Sequence, residues 1–119
     1  MGGKELRGRT KQFALRIIRL FTALPKTTES QVIGKQLLRS GTSVAANYRE
    51  ACRARSDAEF ISKLGIVEQE LDETSLWLEL LMEAGIVTED RLNLLIGETD
   101  ELLRIVVSSI KRVKAHRKG

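Results

Sequence analysis

From Phe60 to Leu81 the apolar positions Phe60, Leu64, Val67, Leu71, Leu78 and Leu81, with Thr74 among them, follow one another in alternating steps of four and three. A strand repeats every two residues. At 3.6 residues per turn, a helix brings positions i, i+4 and i+7 to one side, so the spacing predicts a long helix with one buried face. Leu92, Leu95, Thr99, Leu102, Val106, Ser109 and Val113 repeat the pattern, and Phe13, Ile17, Leu20 and Leu24 repeat it more briefly.

Punctuation divides these seams into four segments. Pro25 cannot continue a helix, which predicts a first helix from about Lys4 to Leu24. Thr28 followed by Gln31 reads as a capping box that opens a second helix running to about Arg55. Ser56 with Glu59 is a further box, Gly85 suits a left-handed stop, and Thr88 caps a fourth helix whose first turn carries two carboxylates. Connections this short favour antiparallel neighbours. The expectation is an all-α, antiparallel up-down-up-down four-helix bundle, with residues 1–119 forming one domain.

Several classes of chemistry drop out. Cys52 is the single cysteine, which excludes an intramolecular disulfide or a cysteine-based zinc site and fits a reducing cytoplasm. No apolar run approaches the roughly 20 residues of a membrane span, and "MGGKELRGRTKQ" lacks the apolar core of a signal peptide; a cytoplasmic protein without a membrane partner is expected. A di-iron bundle needs Glu-x-x-His pairs on two helices, whereas the sole histidine, His116, lies in a basic tail. Glu70 with Glu73, and Glu98 with Glu101, have helical spacing but no activating partner in sequence, so they read as a solvated face. Ser43 and Cys52 likewise lack a neighbouring base. Neither an enzyme nor a cofactor is expected.

The second helix carries unusually small and polar material, "LLRSGTSVAANYREACRARS". Ser43, Asn47 and Glu50 lie on one stripe beside Val44, Tyr48 and Ala51, which places them half-buried with partners on another helix. Gly41, Ala45 and Ala46 are small enough for a neighbouring backbone to approach. Two readings stay open: Asn47 and Glu50 fix helix register, or they line a ligand or partner surface.

Ser43, Ala45, Asn47 and Glu50, followed by a basic segment and then Glu59, Phe60 and Leu64, resemble the hallmark of a bacterial four-helix-bundle family. It is named after proteins encoded in intervening sequences of 23S ribosomal RNA genes. Ala51 stands where that family usually has glycine, which predicts that the helix continues further before its break. The resemblance implies a four-helix fold, assembly into a ring-like homopentamer and no established catalysis. It also implies kinship with an accessory subunit of retroelements that contacts a reverse transcriptase and nucleic acid.

Charge gives an independent lead. Residues 1–56 hold twelve Lys/Arg against three Asp/Glu, 57–103 two against thirteen, and 104–119 six against none. An up-down bundle gathers Lys4, Arg7, Arg9, Lys11, Arg49, Arg53, Arg55, Lys111, Arg112, Lys114, Arg117 and Lys118 at one pole, away from Glu83, Glu89 and Asp90. Such a pole attracts phosphate backbones of RNA or DNA, while the scarcity of aromatics argues against base readout. Leu15, Leu76, Trp77, Leu80, Leu94 and Ile105 point away from the core seams and predict self-association. The sequence thus reads as a non-enzymatic homo-oligomeric adaptor that binds nucleic acid through its basic pole. The other reading is a purely structural protein–protein module.

Overall fold

Residues 3–118 are described by a computed structural model, in which they form α1 (Gly3–Ala23), α2 (Thr28–Cys52), α3 (Asp57–Glu83) and α4 (Glu89–Lys118). Met1, Gly2, Gly119 and the side chain of Lys118 lie outside the described residues. The antiparallel four-helix arrangement expected from the spacing is present, as a rod of 51 × 21 × 20 Å. Pairing is uneven around the bundle. α2 and α3 pack most extensively, α1 lies on α2 and α4 on α3, but α1 and α4 approach each other over only a short stretch. No described helix is long and apolar enough to cross a membrane.

The core follows the predicted seams closely. Leu64, Val67, Leu71, Leu78 and Leu81 of α3 are sealed from solvent with Leu92, Leu102 and Val106 of α4, and Phe13 and Ile17 of α1 meet Leu37 and Val44 of α2. Leu6, Thr10 and Ile110 are also buried, so the core reaches further toward the helix ends than the shortest sequence pattern implied. Gly41 answers to a side chain rather than a backbone: a Cβ there would stand 2.8 Å from both Cγ1 and Cγ2 of Ile17. Ala45 is half-buried and Ala46 exposed, and both line the space between α1 and α2.

Each helix boundary has a local cause. The cap of α2 is Thr27, not Thr28, because Thr27 has the extended backbone that turns its hydroxyl onto the Ser30 amide (φ −75°, ψ 158°). Gln31 donates to the Pro25 carbonyl at 2.9 Å instead of closing a box. α2 ends at Cys52 and not near Arg55, since Arg53 leaves helical geometry at φ −103°, ψ 9°. The chain needs those residues to reach the extended cap at Ser56, whose Oγ accepts the Glu59 amide at 3.1 Å. Ala51 therefore does not prolong the helix. Gly85 takes φ 73°, and the Gly85 and Ile86 amides donate to the Met82 and Leu81 carbonyls, a left-handed closure of α3 that glycine adopts without strain.

Candidate functional site

The start of α1, the end of α2, the start of α3 and the end of α4 share one pole. A Cβ on Gly3 would lie 3.7 Å from both the Tyr48 hydroxyl and the Cys52 sulfur, which fixes α1 against α2 there. Arg7, Lys11, Arg49, Arg53, Arg55, Lys111, Arg112 and Lys114 are exposed, and among the described residues none of them forms an ion pair. Glu5, Asp57 and Glu59 belong to the same helix ends, so the pole is predominantly rather than purely basic. Glu59 is partly committed, accepting the Arg55 amide at 3.0 Å.

Arg9 is placed differently from the other predicted phosphate ligands. Its guanidinium bonds Glu98 on α4 at 2.6 Å and reaches Glu101 at 3.4 Å, bridging the narrow meeting of α1 and α4. The hydrogen bond to Glu98 raises the Arg9 pKa still further, against the opposing effect of its partial burial. Arg39 of α2 does the same work on the other side of the bundle, pairing with Glu70 at 3.0 Å and also with Glu73. Both carboxylate pairs expected on a solvated face are thus interhelical fasteners. Glu70 is in fact buried.

Two concavities open among the unpaired cations and meet at Arg7. One is a groove of about 520 Å³ between α1 and α2, flanked by Arg7, Lys11, Arg49 and Arg53 with the single carboxylate Glu50 among them, and floored by Ala14, Ala45 and Ala46. The other is a cleft of about 710 Å³ at the pole itself, rimmed by Lys4, Arg7, Arg55 and Arg112 over Leu6, Tyr48, Ala51 and Phe60. Sequence reasoning found the cations but neither concavity, because four helices converge to build the cleft. Burial pushes the Tyr48 phenol up to about 12, helped by its neighbour Cys52 and opposed by Arg7, so its hydroxyl stays protonated at neutral pH.

Residues 5–108 match the family model described as 23S rRNA-intervening sequence protein. The chain belongs to that family. A similar solved structure is a protein of unknown function from the S23 ribosomal protein family of Bacteroides thetaiotaomicron VPI-5482, with 38% identity over 93% of this chain and 99% of the other, at a TM-score of 0.87. No curated protein matches the chain.

In this member of the 23S rRNA-intervening sequence protein family, the motif residues divide by role. Asn47 does not reach another helix: its Nδ2 donates to the Ser43 carbonyl within α2 at 2.9 Å. Glu50 is exposed and accepts from Lys63 of α3 at 3.2 Å. Ala45 floors the α1–α2 groove, while Glu59 and Phe60 help form the start of α3, with Phe60 lining the cleft. The stripe expected to be half-buried is therefore half-buried only at Ser43 and Asn47.

The apolar residues assigned to a second face also divide. Leu76 and Leu80 are exposed one turn apart on α3, and Leu94 is 81% exposed beside Arg16 in the α1–α4 groove. Trp77 and Ile105 instead pack against the core, because the apolar arc of these helices is wider than the seam alone, and Leu15 is half-buried in the α1–α2 groove. Ile18 and Val32 are exposed as well, and the spacing argument missed them.

Proposed function

We propose that this protein is a non-enzymatic, homo-oligomeric adaptor that holds RNA or DNA by its phosphate backbone along the basic pole. The observation that carries the reading is the set of cations without carboxylate partners around two adjoining concavities. Arg9 and Arg39, which fasten one helix to another, are tied to carboxylates. The cations around the groove and cleft are left free for an external anion. Phosphates release counterions when they meet such a surface, and the surface needs no base contacts to do so.

Self-association is part of the same proposal. It is supported by the exposure of Leu76, Leu80 and Leu94, and the family resemblance suggests a pentamer. Several poles in one assembly would engage one strand together and raise its apparent affinity. A reverse transcriptase or similar nucleic-acid enzyme fits as the protein partner of such an adaptor.

The test is fluorescence anisotropy with mixed-sequence oligonucleotides across a salt series. Affinity should fall with a log–log slope near 0.9 per neutralised phosphate on duplex DNA, or about 0.7 on single strands. Reversal of Arg53, Arg55, Lys111 and Lys114 to glutamate should abolish binding. Reversal of Lys26 and Arg91, at the opposite pole, should leave it intact. Equal binding by both variants, once their assembly is verified, overturns the reading.

A further inference from the structure

The cleft at the pole has a composition that phosphate binding alone does not require. A rim for phosphates needs only cations, yet this one surrounds an open cleft of about 710 Å³ whose lining also includes Leu6, Tyr48, Ala51 and Phe60. That volume falls within the range of pockets that enclose a whole small organic molecule. Asp57 is the single carboxylate of its lining, against Lys4, Arg7, Arg55 and Arg112.

We propose that this cleft takes in one unpaired nucleotide, its base against Phe60 and its phosphate held by Arg7, Arg55 and Arg112. The inference rests on the nucleic-acid reading above and names the form of nucleic acid the pole prefers. A base within a duplex is stacked on both faces and cannot enter without being unstacked, whereas a strand end or single-stranded stretch enters freely. Tyr48 in the lining stays uncharged at neutral pH and so does not repel the phosphate. The expected preference is therefore for single strands and frayed ends over blunt duplex.

Cys52 supplies the probe. It is exposed, lines the cleft and is the only thiol in the chain, so its reaction with an aromatic disulfide reagent reports on the occupancy of the cleft. The full chain is saturated, as judged by anisotropy, with a 5′-phosphorylated single-stranded oligonucleotide or with the blunt duplex of the same sequence. The single strand should slow Cys52 modification about tenfold or more, and the duplex far less. A54W, which fills the cleft from the loop between α2 and α3, should reduce single-strand affinity toward the duplex level and lower duplex affinity far less. Equal protection by the two ligands, or no protection by a bound single strand, overturns the cleft proposal while the wider reading stands. Absence of binding by either ligand overturns both.

Discussion

The hydroxyls of Ser40 on α2 and Thr74 on α3 meet at 2.9 Å in the sealed centre of the bundle. Thr74 also donates to the Glu70 carbonyl at 2.8 Å, which leaves its oxygen to accept the Ser40 proton. Removing either hydroxyl loses the same bond between them and leaves the survivor only its own backbone carbonyl, Leu37 for Ser40 and Glu70 for Thr74, whereas removing both leaves an apolar contact of similar shape. S40A or T74V alone should cost about 1 kcal/mol, and the double variant little more than either single one. A double-mutant cycle by urea unfolding measures the coupling, and strict additivity would refute it.

Arg39 is half-exposed while its partner Glu70 is buried, so the two ends of this ion pair are not equivalent. R39A leaves a carboxylate desolvated without its cation and should destabilise by about 1–3 kcal/mol. E79A, on an exposed position of the same helix as Glu70, should stay within about 0.5 kcal/mol of the parent. Denaturant midpoints of the two variants provide the comparison.

Alanine should have opposite effects at two helical glycines. At Gly41 the added methyl collides with Ile17, whose branched side chain is locked in the core, so G41A should lose about 1–3 kcal/mol. At Gly65 nothing stands within 4 Å of the new carbon, and relief of backbone entropy should yield about 0.5–1 kcal/mol. Thermal unfolding should move the two melting temperatures in opposite directions.

Tyr48 is the only tyrosine, so phenolate absorbance follows it alone. Its folded pKa, at about 12, lies above the ordinary value of 10.0. The unfolded chain therefore releases the proton first. The stabilisation is fully present below pH 10.0 and is lost as the pH rises through about 12. Y48F should flatten the fall in stability across that window, and a phenolate titration centred near the ordinary value would contradict the burial argument.

Self-association should depend on Leu94, the most exposed of the large apolar side chains. Light scattering at micromolar concentration should give a mass several times 13.4 kDa, and L94K with L76K should shift it toward that value. A parent that scatters as a single chain would remove the oligomer from the proposed function.

What was legible in the sequence was local. The Ser56 cap, the Gly85 stop and the α3 seam depend on residues within a few turns of one another, where helical geometry leaves little freedom. Adjacent Thr27 and Thr28 are equivalent as letters, and only the backbone torsions decide which one caps. Arg9 with Glu98 and Arg39 with Glu70 are separated by 89 and 31 residues, so their pairing depends on helix rotation and tilt that spacing does not encode. The cleft was hidden for the same reason: Arg7, Tyr48, Phe60 and Arg112 come from four different helices.

The narrow meeting of α1 with α4 bears on how the chain reaches this structure. Nearly all of the packing joins helices that follow one another in sequence, so the bundle assembles as three successive hairpins and scarcely needs its two ends to find each other. Such a low contact order places folding in the microsecond-to-millisecond range typical of helical bundles, with little loop entropy spent on long-range closure. Arg9 fastens the short stretch where α1 and α4 do meet. The nascent chain can bury most of its core once α3 has emerged, before the basic tail of α4 is complete.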